Sequence, residues 1–373
     1  MGVTGVLTGG VGSRGSRRPL LVAGLVLVVL AGLVFSGLVA WRQSHRTPLQ
    51  QALDVVPAGS LRVGFTDWQA VRRTLGDTRG EAAGRSPGTE TVEKLMSRAY
   101  DSDFSAASSI DESAVALQGN YGFGPATADW EAYAQSRRGA TMVLKLPDGT
   151  DFGSLRDKLR RLGYGAPRGD GVWRGGIDLV SQIDPSISPE LQYVVLLEDQ
   201  GLVVTSDTPS YAATAARVAQ GDGDSVDSTD GVPALADRLG RPANALLWSS
   251  DFACDDLAMS SADQGDQDQA EQLVRRAGGV SPLEGFAMAM DPDRRLQVVE
   301  HFEDSSQAER SLRPRARLAV GPAVGRGGSF SDDFRLTSSR AVDSDVLLTL
   351  TPREKDGFVL SSLYDGPLLL ATC

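Results

Sequence analysis

His301, in the run Val298-Val299-Glu300-His301-Phe302, is one of two histidines in the chain. The other, His45, precedes the first predicted strand. A serine-type triad would therefore have to use His301 as its base. No G-x-S-x-G elbow supplies the nucleophile, so a strand histidine in a structural setting is the preferred reading. Two acidic clusters come next: Asp222, Asp224, Asp227 and Asp230, then Asp255, Asp256, Asp263, Asp266 and Asp268. Hard cations take several oxygens at close range, but the D-x-D-x-D-G-x5-E pattern is absent from both. Solvated acidic loops are preferred over weak Ca²⁺ sites. A glycosidase needs two carboxylates at a set separation. With 48 acids and aromatics at 6%, no pair is singled out. The Gly-rich stretch 321–328 lacks the Gly-Lys-Ser/Thr end of a phosphate loop, and Tyr121-Gly122-Phe123-Gly124 does not open a helix. No catalytic, cofactor-binding or metal-ligating residue is assigned. Arg310, Arg313, Arg315 and Arg317 form a basic group that could meet an anion or pair with the Asp-rich loops.

The chemistry most open to two cysteines is with each other. Cys254 and Cys373 are the only pair. Outside the cytoplasm such a pair persists as a disulfide, the alternative being two separate buried thiols. A bridge would pin the last residue and contribute on the order of 4–5 kcal/mol in the chain-entropy model.

Compartment is set by residues 19–41, PLLVAGLVLVVLAGLVFSGLVAW, which hold no charge. A helix of that length crosses the roughly 30 Å hydrocarbon core of a bilayer. Arg14, Arg17 and Arg18 precede it, and Arg42 and Arg46 follow, so the positive-inside rule favours a cytoplasmic N-terminus. The run is longer than a signal-peptide core, and the candidate cleavage site Leu38-Val39-Ala40 starts on a large residue. An uncleaved, single-pass signal anchor is preferred to a cleaved signal. Either places residues 47 onward outside the cytoplasm. The first 46 residues hold five Arg and no acid, which leaves the remainder at a net −16. That field excludes nucleic acid as a natural partner. The membrane is the one partner the sequence names.

The elements follow from periodicity. Residues 1–18 read as a cytoplasmic tail and 42–59 as a stalk. Residues 61–65 alternate as a strand, and Asp67 could cap a helix over 68–75. Residues 92–99 are helical in pattern. A strand over 140–146 ends at Pro147-Asp148-Gly149. In the helix that follows, Phe152, Leu155, Leu159 and Leu162 share a face, and Gly163 closes it. Residues 172–174 form a short strand. Residues 193–198 and 202–205 form a hairpin across Asp199-Gln200-Gly201. Thr208-Pro209 opens another helix. Residues 221–231 are an acidic loop between lobe 1 (60–220) and lobe 2 (232–373). In lobe 2 the pattern predicts strands at 245–248, 334–337, 346–350, 358–363 and 368–371. It also predicts a helix at 267–277, a hairpin of 286–290 with 296–302, and a basic helix at 307–320 broken near Pro314. The lobe openings 61–71 and 246–256 match as strand, Asp, aromatic, turn, which raises an internal duplication. The predicted class is α+β, a mostly antiparallel sheet in two joined lobes with helices on one face.

Several motifs carry a family resemblance. They are Leu53-Asp54-Val55-Val56-Pro57-Ala58 before Thr66-Asp67-Trp68; Asp251-Phe252-Ala253-Cys254 on to Leu257-Ala258-Met259-Ser260; Pro282-Leu283-Glu284-Gly285-Phe286-Ala287-Met288; and Val359-Leu360-Ser361-Ser362-Leu363 through Gly366-Pro367 to Ala371-Thr372-Cys373. With the apolar run, they resemble uncharacterised membrane-anchored proteins of high-GC Gram-positive bacteria, of a domain-of-unknown-function type with repeated strand–helix units. The resemblance implies location and architecture and transfers no functional residue. The expected function is a membrane-tethered extracytoplasmic domain for non-catalytic binding or envelope interaction. The alternatives are a hydrolase of envelope polymers and an apolar-ligand carrier.

Overall fold

A computed structural model describes residues 1, 2, 5, 46–76, 87–249, 252–354, 357–364 and 366–373. The expected tail and apolar run at 1–41 and most of the 76–90 loop lie outside the described residues. So does Asp251, the matching Asp of the second lobe opening. No helix among the described residues is long and apolar enough to cross a membrane.

Thr47–Cys373 forms one unit. Its strands are β1 Ser60–Thr66, β2 Trp130–Ser136, β3 Gly139–Lys145, β4 Trp173–Arg174, β5 Tyr193–Leu197, β6 Leu202–Ser206, β7 Asn244–Ser249, β8 Gly285–Met290, β9 Leu296–His301, β10 Phe334–Val342 and β11 Asp345–Pro352. They make one antiparallel sheet in the order β10-β11-β9-β8-β7-β1-β2-β3-β6-β5-β4. The main helices are α1 Pro48–Val55, α2 Trp68–Thr74, α3 Thr89–Asp101, α4 Phe152–Leu162, α5 Ile177–Ile183, α6 Pro209–Ala219, α7 Val232–Leu239, α8 Phe252–Asp256, α9 Gln264–Ala277 and α10 Ser305–Leu318. The chain is thus mixed α+β on a large antiparallel sheet.

Set aside the edge strand β4 and the sheet reads as two halves with one strand order. In the first, β1, β2 and β3 lie side by side, and the hairpin β5–β6 returns with β6 against β3. In the second, β7, β8 and β9 lie side by side, and the hairpin β10–β11 returns with β11 against β9. A long helix, α4 or α10, follows the third strand in each half before the hairpin. The halves meet where β1 pairs with β7, Gly64 opposite Leu246.

The helices cover both faces of the sheet, which corrects the one-face expectation. Val143 faces a core with α1, α6 and α7, through Leu49, Leu53, Ala212, Ala216, Leu235 and Leu239. Its neighbours Met142 and Leu144 face a core with α2, α4, α9, α10 and the C-terminal segment. Every residue of β7 and β8 is buried. A sheet covered on both sides reads as a continuous apolar run, as 285–290 does, and not as an alternation.

Three further expectations change. The stalk is not free: α1 is closed by a Thr47–Gln50 capping box and sinks Leu49, Ala52 and Leu53 into the core. Residues 358–363 and 368–371 are not strands but turns, with a 3₁₀ turn at Leu369–Ala371. Helix α10 runs unbroken through Pro314, which is buried against the end of α9 near Gly278. The acidic loop is largely exposed, yet Val226 is buried and its N–H donates to Val56 O at 2.8 Å.

Candidate functional site

A recess of about 240 Å³ opens where the two half-sheets meet. Leu61 and Arg62 of β1, Gln135 and Ser136 of β2, Arg137 of the following turn, and Phe252 and Asp256 of α8 line it. The β1–β2 register shifts between Ser60 and Arg62. One extra residue there re-aims the side chains beside it, as bulges do, and puts Arg62 at the recess.

Arg62 is held by rings. Its guanidinium lies 5.2 Å from the Trp248 ring centroid and 5.5 Å from that of Tyr364. Cation–π contact at this range is worth roughly 0.5–2 kcal/mol, more as water is excluded. Trp248 is fully buried, edges onto Phe286 at 5.9 Å, and donates its indole N–H to Asp256 Oδ2 at 2.7 Å. Among the described residues no acceptor takes a hydrogen bond from the side chain of Arg62 or Arg137.

The wall made by α8 is tied to the C-terminus. The predicted bridge is present: Cys254 of α8 is bonded to Cys373, with Cα atoms 5.7 Å apart, inside the usual disulfide span. Beside it Leu368 N donates to Leu257 O at 2.6 Å. Arg315 reinforces the tie. It is fully buried, apart from the rest of the basic group, while Arg310, Arg313 and Arg317 are exposed. It donates to Leu370 O at 3.1 Å, Thr372 O at 2.5 Å and Ser281 O at 2.9 Å. Its Nε lies 3.6 Å from Glu300 Oε2. Farther along, Asp103 Oδ2 accepts from the N–H groups of Val359, Leu360 and Ser361 at 2.6, 2.5 and 3.1 Å.

Two carboxylates are sealed in the core. Glu131 of β2 accepts from Trp68 Nε1, Ser108 Oγ, Ser109 N and Ser109 Oγ at 2.7–3.0 Å. Burial pushes its carboxyl up, against four hydrogen bonds that favour the charge. Glu300 of β9 has no hydrogen-bond partner on either oxygen. Burial pushes it up to about 7, with Arg315 opposing. Neither lines the recess, where Asp256 is the one acid among the described lining residues.

His301 ends β9, with Nδ1 2.6 Å from Asp345 Oδ1. Arg238 donates to Asp345 Oδ2 at 2.8 Å and to Asp343 at 2.6 Å. Burial raises the Asp345 carboxyl, but the hydrogen bonds from His301 and Arg238 outweigh it and hold it below the usual carboxylate range. Gly231 packs over the ring edge, where a Cβ would come 2.7 Å from His301 Cδ2. Among the described residues no hydroxyl or thiol is hydrogen-bonded to Nε2. The pair has the orienting half of a triad and no nucleophile beside it.

The acidic clusters hold local structure. Asp263 caps α9, Asp268 accepts from Gln264, and Asp222 lies 3.9 Å from Arg217. No group of three metal-ligating side chains occurs among the described residues.

No protein-family model matches the chain, and no curated protein matches it. Among solved structures, crystal forms I and III of TP0453 are similar to it at 7% and 8% identity, each with a TM-score of 0.36. The match spans 84% and 83% of this chain and 96% of that one.

Proposed function

We propose that the protein is a membrane-tethered, extracytoplasmic binding domain, anchored by residues 19–41 with its N-terminus in the cytoplasm. The disulfide is the observation that carries this reading. Thiols in the cytoplasm are kept reduced, and Cys254 and Cys373 are placed to be joined. The apolar run and the acidic balance of the remaining chain point the same way. The role is non-catalytic. It rests on a recess whose described lining includes one carboxylate, two arginines and a phenylalanine, and on a histidine–aspartate pair whose partner is Arg238. The apolar-ligand alternative fits less well, because both sheet faces are filled by helices and the recess is charged.

The matched strand order of the two halves supports an internal duplication, and with it the resemblance to membrane-anchored proteins of repeated strand–helix units. The test is topology. Protease added to intact, wall-stripped cells digests the folded domain, and non-reducing mass spectrometry of the exported chain finds the Cys254–Cys373 peptide. A domain that resists until the cells are lysed, with both thiols free to alkylate, overturns the reading.

A further inference from the structure

Arg62 and Arg137 line one recess, and although the chain offers 48 carboxylates, among the described residues neither has a carboxylate partner. We propose that the recess binds a small aromatic carboxylate, its oxyanion gripped by these two arginines and its ring laid on Phe252. This rests on the binding-domain reading above and names the ligand class for it.

Arg62 carries the geometry. Trp248 and Tyr364 lie against it and restrain the long side chain. What remains is its in-plane edge, a fork of N–H donors matched to a flat carboxylate. A side chain already held in place loses little freedom when a ligand arrives. Arg137 lines the same space from the turn after β2 and adds a second charge. Asp256 subtracts one. Its Oδ2 is occupied by the Trp248 indole N–H, so it stays as a fixed anion in the wall. Among the described lining residues the recess therefore carries a net charge of +1, which suits a monoanion and disfavours a dianion such as a phosphate monoester. A volume near 240 Å³ falls just under the roughly 300–1,000 Å³ of drug-sized sites. It admits an aryl acid, or a peptide's terminal carboxylate with its last side chain, but not a lipid chain. Phe252 gives the ring an apolar surface. The disulfide two residues on, at Cys254, fixes that wall.

Isothermal titration of the full chain in detergent tests this. Benzoate and N-acetylphenylalanine represent the free acid and the peptide end, with benzamide and phenyl phosphate as the neutral and dianionic controls. One or both carboxylates should saturate at one equivalent, with phenyl phosphate weaker and benzamide silent. R137Q alters an exposed side chain and should leave the fold intact while weakening binding at least tenfold. R62K keeps the charge but not the fork and should do the same. R310Q, remote on α10, should change nothing. Absence of saturable binding by either carboxylate overturns the proposal. So does benzamide matching them, phenyl phosphate exceeding them, or R137Q and R62K binding as the parent does. Because the titration uses purified protein, it stands or falls separately from the topology experiment.

Discussion

Replacing Glu300 by glutamine isolates the energetics of a fully buried carboxyl. Glu300 is fully buried, neither oxygen has a hydrogen-bond partner, and the nearest cation is Arg315 Nε at 3.6 Å. Burial lifts its carboxyl from 4.5 to about 7. The folded state therefore binds a proton that the unfolded chain has released. The stabilisation this proton gives is fully present below the unfolded value and is lost as pH rises through the folded one. At 1.36 kcal/mol per unit, stability declines by about 3 kcal/mol between pH 4.5 and 7 and levels off above. E300Q keeps the shape and cannot ionise. Glu131, whose carboxyl is also raised, contributes a slope of the same sign, so the informative quantity is the mutant-minus-parent difference. Urea unfolding at pH 4.5 and pH 8, without reductant, should show E300Q gaining about 3 kcal/mol on the parent across that interval. For a domain of roughly 330 residues this is about 4 °C in melting temperature. A difference that stays flat with pH would mean that Arg315 holds Glu300 ionised throughout. It would refute the claim that desolvation outweighs the ion pair.

Reducing the Cys254–Cys373 bridge, or making C254S/C373S, opens a loop of 119 residues. It should cost about 4–5 kcal/mol in urea unfolding. D103A removes the acceptor for three backbone N–H groups, two of them on buried residues. A loss of about 3 kcal/mol is expected, with hydrogen exchange at 359–361 accelerated before the rest of the sheet. G64A places a Cβ 2.7 Å from Ala107 O. Backbone must move, so a loss of about 1–3 kcal/mol is expected, read in the same assay.

Local grammar was legible in the residues. Asp67, Asp151 and Thr208 each accept from a backbone N–H at a helix start, as their positions before apolar periodic runs suggested, whereas Asp263, read as one of an acidic cluster, caps a helix that begins three residues before its expected start. Gly163 takes a left-handed φ of 98° where α4 ends. The hairpins at 193–206 and 285–301 lie within a residue or two of their expected bounds. What failed depends on tertiary partners. Residues 358–371 are apolar enough for strands, but Asp103 and Arg315 satisfy their backbone groups and no neighbouring strand does. Pro314 stays inside α10 because burial against α9 outweighs its missing N–H. The recess had no signature at all. Arg62 and Arg137 are far apart in sequence and meet through the β1–β2 pairing, while Glu300 reads as one acid among many. The cysteines were legible because there were two, and a single pair has one possible bridge.

The ends of this unit close opposite sides of the sheet: α1 seals one core, and Val359 to Ala371 the other. Val359 to Ala371 share their core with Trp248, Phe286 and Met288 and with α2, α4, α9 and α10, so neither face is fully packed until both ends of the unit are in place.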